Sequence, residues 1–224
     1  MNRGDSSLKK SKRLFELCCP FCDAVLGFSG PCAVCGPALA CIRRPLRQPV
    51  PKQGHALEHL DAAYAPYFYE PPVRDAVLRL KFENRTDLAR PLALLQAEAL
   101  KAAGCLGDVD ALVPVPSGRG ERRSRGYDVP LMLARALGRE LGLPVMQALC
   151  KIRETPRQMA LSGGERRKNL KNAFSARPDA LLEGKRILLV DDVLTTGSTL
   201  NECAKALRAA GAAECRGVCA AATR

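Results

Sequence analysis

Aromatic side chains are scarce in this sequence. It has no tryptophan, and aromatic residues make up 4% of its 224 positions. This scarcity argues against an extended platform on which nucleic-acid bases would stack. Histidine is also rare: His55 and His59 are the only two. They are interpreted as one solvated helix face, with a second metal site as the alternative, and no catalysis is assigned to them.

Long apolar runs are absent as well. No stretch of 18 apolar residues occurs, so no transmembrane helix is predicted. The first 15 residues contain no uninterrupted apolar segment, so no secretory signal is predicted either. With 47% hydrophobic and 26% charged residues, we expect a globular protein of the cytoplasm.

Positive charge dominates and is concentrated in two segments. The net charge is +12; residues 117–125 carry four arginines and one glutamate, and residues 151–171 carry seven basic and two acidic residues. A solubilising surface is one interpretation. A partner rich in phosphate, either a polyphosphate or a nucleic acid, is the prediction we favour.

The eleven cysteines fall into two groups. Two CxxC pairs, nine residues apart, have the spacing of a tetrahedral zinc site, with disulfides or redox activity as alternatives. Cys18 is a possible substitute ligand, and Cys41 has no assigned role. The predicted zinc ligands are Cys19, Cys22, Cys32 and Cys35. The predicted small core residues are Cys105, Cys150, Cys203, Cys215 and Cys219.

The chain divides into four predicted regions. Residues 1–13 are a disordered basic tail, 14–41 a zinc-binding module, 42–60 a proline-containing linker, and 61–224 the main domain. Helices are predicted at 73–82, 86–104, 128–141 and 199–210, and a basic loop at 116–126. Strands are predicted at 63–70, at an edge, and at 110–115, 144–152, 172–177, 186–191 and 215–221. This alternation predicts an α/β fold with a doubly wound, mainly parallel sheet.

The segment RILLVDDVLTTGSTLNECAKAL, residues 186–207, carries the clearest site signal. Four apolar residues form a buried strand, and Asp191 and Asp192 follow at its carboxyl end, where ligands bind in such sheets. A hydroxyl-rich turn then leads into a helix whose free amides and dipole favour a phosphate. The carboxylates suit sugar hydroxyls or a cation. Ribose 5-phosphate satisfies both halves, whereas a generic helix cap requires neither the acidic pair nor so many hydroxyls.

These residues resemble the phosphoribosyl-pyrophosphate (PRPP) motif of type I phosphoribosyltransferases. The resemblance implies that the acidic pair holds the ribose hydroxyls and that the turn holds the 5-phosphate, with Mg²⁺ accompanying PRPP. The PRPP-binding residues would be Asp191, Asp192, Thr195, Thr196, Gly197, Ser198 and Thr199. By position, Ser117, Gly118, Arg119 and Gly120 resemble the pyrophosphate loop.

A third segment, TPRQMALSGGERRKNL, stands where the same enzymes have a flexible catalytic loop. The candidates for stabilising a departing pyrophosphate are Arg157, Arg166, Arg167 and Lys168. An alternative interpretation makes this segment a helical turn that contacts a nucleic-acid backbone.

Five motifs follow one another along the chain: the CxxC pairs, YFYEPPVRDAVLRLKF, VPVP followed by RGY, TPRQMALSGGERRKN and DDVLTTGST. Taken in this order, they resemble the ComF family, which includes ComFC and GntX-like proteins. The resemblance implies a zinc-finger-like module joined to a phosphoribosyltransferase-like domain, and a part in DNA uptake during natural transformation. One departure stands out. Asp128 and Val129 replace the Asn and Gln of the RGFNQ sequence common in the family.

Three functions stay open at this level. The first is a PRPP-binding protein that handles single-stranded DNA. The second is an active phosphoribosyltransferase on an unidentified acceptor, although no base pocket is visible in the sequence. The third is a PRPP-sensing adaptor that docks a protein partner such as a helicase.

Overall fold

The computed structural model describes residues 18–26, 30–153 and 170–224. Its helices are α1 (Cys35–Cys41), α2 (Val73–Phe82), α3 (Ala89–Ala103), α4 (Arg119–Arg125), α5 (Val129–Leu141) and α6 (Ser198–Ala209), with a 3₁₀ turn at Thr86–Leu88. Its strands are β1 (Ala62–Tyr64), β2 (Tyr67–Phe68), β3 (Ala111–Pro114), β4 (Leu149–Lys151), β5 (Phe174–Ala176), β6 (Arg186–Val190), β7 (Val193–Leu194), β8 (Glu214–Val218) and β9 (Ala221–Ala222).

A four-stranded parallel sheet in the order β1-β8-β6-β3 forms the centre of the domain. Its two faces are both buried. Leu112 and Leu188 belong to one apolar cluster, which also contains residues of α3 and α5. Val113 and Leu189 belong to a second cluster, which contains residues of α6. Apolar side chains on both faces are typical of a parallel sheet between helices, and they confirm the predicted fold class.

Two smaller sheets extend this arrangement. Strands β2, β9 and β7 pair in parallel, and β4 and β5 pair antiparallel. The predicted strand at 63–70 is divided into β1 and β2, with Pro66, which has no N–H to donate, in the interval. β1 lies at an edge of the main sheet, as predicted.

Three other predicted elements were wrong in extent or type. The strand expected over 215–221 is divided into β8 of the main sheet and β9 of a smaller one. The strand expected over 144–152 joins the main sheet only through a bridge between Leu112 and Val145 and then pairs with β5 instead. The basic loop expected over 116–126 contains helix α4. This helix begins after Gly118, whose amide donates to the Glu121 side chain at 3.3 Å, a capping arrangement that favours helix initiation.

Residues 42–60 pack against the main sheet. The amide of Val50 donates to the Ala63 carbonyl at 2.6 Å, and Leu57 and Leu60 are fully buried. Four of the predicted core cysteines, Cys105, Cys203, Cys215 and Cys219, are buried, and Cys150 is partly buried. Among the described helices, none has the length and apolarity required to span a membrane.

Candidate functional site

The site lies where two neighbouring parallel strands end. Pro114 at the end of β3 is in register with Val190 at the end of β6, and the Val115 amide donates to the Val190 carbonyl at 3.0 Å. The segments that follow therefore leave the sheet at the same carboxyl edge. The structure thus brings Ser117–Gly120 and Asp191–Thr199 to one edge of the sheet, as the sequence predicted.

The hydroxyl-rich turn is tightly folded at the start of α6. Thr196 Oγ1 and Ser198 Oγ are 2.9 Å apart, and the Ser198 amide points at Thr196 Oγ1 at 3.4 Å. Gly197 has a φ of +76°, in the left-handed region that favours glycine. The Asn201 amide closes the first helical turn by donating to the Gly197 carbonyl. Amides and hydroxyls at a helix N-terminus are suited to binding a phosphate.

The acidic pair is held in place by the backbone and by a lysine. Asp191 Oδ1 accepts a hydrogen bond from the Asp192 amide at 2.9 Å, and the Asp191 amide donates to the Val218 carbonyl. Asp192 is 7% exposed, and its Oδ1 lies 2.7 Å from Nζ of Lys81 on α2. Burial opposes the charge of Lys81 and is the largest single influence, but the acidic groups around it, chiefly Asp192, together raise the pKa of the lysine.

Asp191 differs electrostatically from its neighbour. Burial and the adjacent Asp192 carboxylate raise the pKa of Asp191 to about 8. The fully buried Gln96 of α3 donates from Nε2 to the Asp191 carbonyl at 2.9 Å, and its Oε1 has no hydrogen-bond partner among the described residues. A carboxyl group with a pKa near neutrality can exchange a proton when a ligand arrives.

The second loop, residues 117–120, is held by the carboxylate of Asp128. Ser117 donates from Oγ to Asp128 Oδ1 at 3.1 Å, and its amide points at Asp128 Oδ2 at 3.4 Å. Asp128 also caps α5 by accepting from the Leu131 amide. The aspartate that departs from the family's RGFNQ sequence therefore holds this loop and begins a helix. Its negative charge also contributes to the raised pKa of Asp191.

A separate cluster of thiols lies in the N-terminal module. The ligand atoms of Cys19, Cys22, Cys32 and Cys35 all lie within 4.8 Å of one another. The Cys32 amide points at Cys19 Sγ at 3.4 Å, and the Cys35 amide points at Cys32 Sγ at 3.3 Å. Backbone hydrogen bonds from Cys35 and Val34 lower the pKa of Cys32 to about 6. Four convergent sulfur atoms with amides directed at them can hold a metal ion.

Cys18 and Cys41 are not part of the described thiol cluster. The predicted loop residues Arg157, Arg166, Arg167 and Lys168 lie outside the described residues. Sequence reasoning missed Lys81 and Gln96. They lie on helices far along the chain from the acidic pair, and nothing in the helical pattern of VRDAVLRLKF distinguishes Lys81 from a surface lysine.

Comparison with known proteins agrees with this geometry. Residues 131–224 match the family model described as "Phosphoribosyl transferase domain". Competence protein F of Haemophilus influenzae is 38% identical over 151 residues, which is 65% of this chain and 66% of that protein. The resemblance to the ComF family is confirmed.

Other relatives carry a related name. DNA utilization protein YhgH of Escherichia coli K12 is 37% identical over 149 residues, 65% of each chain, and its Salmonella typhimurium counterpart is 38% identical over the same shares. The match thus spans about 65% of the length of the curated relatives.

Solved structures with phosphoribosyl chemistry in their names are more distant. An adenine phosphoribosyltransferase from Thermoanaerobacter pseudethanolicus is 20% identical with a TM-score of 0.36, over 68% of this chain and 70% of that one. The glutamine PRPP amidotransferase from B. subtilis is 26% identical with a TM-score of 0.38, over 60% of this chain and 25% of that one. Scores this low support no inference about ligand or activity.

Proposed function

We propose that this protein binds PRPP together with Mg²⁺ and acts on incoming single-stranded DNA during DNA uptake. The observation that carries the proposal is the pairing of Pro114 with Val190 in neighbouring parallel strands. This pairing supports the proposal because it brings the hydroxyl-rich turn, the acidic pair and the second, small-residue loop to one edge of the sheet. PRPP needs one binding group of each kind, for its 5-phosphate, its ribose hydroxyls and its pyrophosphate.

Each part of PRPP has a proposed place. The 5-phosphate lies in the turn at residues 195–199, where α6 begins. The ribose hydroxyls donate to Asp191 and Asp192. The pyrophosphate lies against residues 117–120. Mg²⁺ keeps several of its waters and bridges phosphate oxygens, so the protein has to supply few ligands for it.

Calorimetric titration of PRPP with Mg²⁺ into the purified protein tests the PRPP site. We expect micromolar binding by the wild type and loss of binding in an Asp191→Ala, Asp192→Ala double variant whose folding is intact by circular dichroism. The matched control is Asp75→Ala. Asp75 forms an exposed pair with Arg74. The proposal is wrong if folded wild type does not bind PRPP.

For the four-cysteine cluster we propose structural zinc. The sulfur set and its convergence fit the tetrahedral coordination of Zn²⁺. All eleven cysteines lie in the described part of the chain, and none forms a disulfide there. Free thiols at these positions fit a reducing compartment, and we propose the cytoplasm as the place of action.

For DNA we propose an arginine surface next to the PRPP site. This surface consists of Phe82 and the arginines of α4: Arg119, Arg122, Arg123 and Arg125. Phe82 is 57% exposed, and the Arg125 guanidinium carbon lies 5.3 Å from its ring centroid. Lys81, the neighbour of Phe82, contacts Asp192. An exposed ring beside one guanidinium group can stack a base, and the other arginines of α4 can bind the phosphates that flank it.

Fluorescence anisotropy with a labelled oligothymidylate tests the arginine surface. An Arg122→Glu, Arg123→Glu double variant should bind roughly tenfold more weakly or worse and show a shallower dependence on salt concentration. The control is Arg135→Glu, Arg139→Glu, which makes the same charge change on α5. Equal losses in both variants would show that net charge alone, and not this surface, is responsible.

A further inference from the structure

The C-terminal end of helix α2 contacts the acidic pair of the proposed PRPP site. Lys81, the penultimate residue of α2, places Nζ 2.7 Å from Asp192 Oδ1, and the two side chains are 22% and 10% exposed. Two partly buried carboxylates side by side repel each other, and a nearby ammonium reduces that repulsion. The position of Lys81 therefore governs whether the pair can present charged oxygens to a ligand.

The segment of the first CxxC pair, residues 19–23, contacts the same end of α2. Asp23, which follows Cys22, accepts two hydrogen bonds from Arg85, at 2.7 and 2.8 Å. It also accepts a hydrogen bond from Arg79 of α2 at 3.3 Å, and Arg79 donates to the Phe21 carbonyl at 3.2 Å. A carboxylate held by two guanidinium groups is a strong, directional contact. The segment therefore binds α2 one turn or less from Lys81.

Apolar packing also holds α2 against the predicted module at residues 14–41, here called the cysteine module. Phe21 and Leu39 of this module are 5% exposed and belong to the buried cluster that contains Val77 and Leu80 of α2. On another side, the Tyr127 hydroxyl donates to the Leu80 carbonyl at 2.6 Å. The end of α2 is thus held between the cysteine module and the segment that follows α4. Its freedom to move Lys81 away from Asp192 is small while these contacts persist.

We propose that Lys81 is a positioning residue of the ribose-binding pair, and that Asp23 of the cysteine module holds Lys81 in place through Arg79 and Arg85. The cysteine module then stabilises the PRPP site through these contacts of Asp23 with Arg79 and Arg85, which are called the brace below. This inference rests on the proposed PRPP function and deepens it. If this is correct, loss of the Asp23 contacts weakens binding of the ribose part of a ligand but leaves binding of bare phosphate unchanged. The reason is that the turn at residues 195–199, the proposed phosphate site, has no contact with Asp23 among those described.

Isothermal titrations with ribose 5-phosphate and with inorganic phosphate separate these effects. The variants are Lys81→Met, Lys81→Arg and Asp23→Asn, with Asp75→Asn as the control on the opposite end of α2. Lys81→Met should weaken ribose 5-phosphate binding about tenfold, because the repulsion within the acidic pair is no longer compensated. Lys81→Arg should restore part of this loss, and Asp75→Asn should match the wild type.

Asp23→Asn should weaken ribose 5-phosphate binding by about threefold while the zinc content, measured by atomic absorption, stays that of the wild type. The Lys81→Met, Asp23→Asn double variant should bind no more weakly than Lys81→Met, because the two changes act on one contact. Inorganic phosphate should bind all variants within about twofold of the wild type.

The outcomes are distinguishable. If the wild type binds ribose 5-phosphate and the Lys81→Met and Asp23→Asn variants bind it equally well, the brace is wrong and the PRPP site stands. If the variants lose phosphate binding as much as ribose 5-phosphate binding, Lys81 supports the fold in general and positions nothing. If the folded wild type binds neither probe, the proposed function fails and the brace fails with it.

Discussion

The amide of Ala56 donates a hydrogen bond to the carbonyl of Thr196 at 2.8 Å. This bond attaches the chain before β1 to the hydroxyl-rich turn at residues 195–199, some 140 residues later in sequence. The Leu57 side chain and the Ala56 carbonyl then lie so close to Gly197 that a Cβ there would meet them at 2.6 and 2.9 Å. The turn is therefore shaped by residues outside its own motif.

Gly197→Ala should unfold the turn or displace residues 56–57. The new methyl group would clash with Leu57 and would also hold a side chain at a φ of +76°. We expect a loss of at least about 2 kcal/mol in the free energy of unfolding, together with loss of phosphate binding. Urea denaturation and phosphate titration measure the two effects.

Gly104→Ala is the matched control for this change. Gly104 has a φ of +67°, but a Cβ there would meet nothing within 4 Å. It should lose only about 1 kcal/mol, from backbone strain alone. Equal losses at the two positions would contradict the close approach at Gly197.

Asp191→Asn should change how stability depends on pH. The pKa of Asp191 is raised to about 8 in the folded chain, from an ordinary value of 3.8. Between these values the folded state binds more protons than the unfolded state, so this group makes stability fall as the pH rises. The variant lacks that decline. The difference in the free energy of unfolding, variant minus wild type, should therefore rise by at least about 1 kcal/mol between pH 5 and pH 8, measured by urea unfolding.

The control for the pH experiment is Asp75→Asn, which alters an exposed carboxylate. Its stability should follow the wild-type pH profile. A parallel profile for Asp191→Asn would show that the Asp191 carboxyl titrates alike in the folded and unfolded chains.

Asp128→Asn and Asp128→Ala should separate the capping role of Asp128 from its charge. Asparagine caps helices as well as aspartate does, so Asp128→Asn should stay within about 0.5 kcal/mol of the wild type, whereas Asp128→Ala should lose about 1 kcal/mol. Because Asp128→Asn removes a negative charge beside residues 117–120, it should bind pyrophosphate more tightly than the wild type. Weaker pyrophosphate binding by Asp128→Asn would place that anion elsewhere.

Cys19→Ser should lower both metal content and thermal stability. Cys19 is fully buried among the four thiols and packs in the same cluster as α2. We expect one zinc per chain in the wild type, loss of most of it in the variant, and a melting temperature lower by at least about 5 °C. Cys150→Ser, which changes a partly buried cysteine outside the cluster, is the control. Full zinc occupancy in Cys19→Ser would contradict the assignment of this ligand.

Local sequence patterns predicted the parts of the site that depend on one segment. The apolar run before Asp191 predicted a strand buried on both faces, and the structure has β6 there with four buried residues. The CxxC spacing predicted the four-thiol cluster. The helix at Asp128–Leu141 was predicted nearly to its ends, because aspartate and glycine flank it.

Contacts between distant segments were not predictable in the same way. Lys81 meets Asp192 across 111 residues, and Gln96 meets Asp191 across 95. Such pairings depend on how helices pack over the sheet, which periodicity does not specify. Helix α4 was missed because four arginines in seven residues left it without an apolar stripe, the signal by which helices are usually recognised.

A crystal structure of the protein soaked with PRPP and Mg²⁺ would show whether PRPP binds at this edge of the sheet. We expect the 5-phosphate at the turn of residues 195–199, the ribose hydroxyls on Asp191 and Asp192, and the pyrophosphate against residues 117–120. A PRPP molecule bound away from this edge, or an edge still empty at a PRPP concentration that saturates binding in solution, would contradict this expectation.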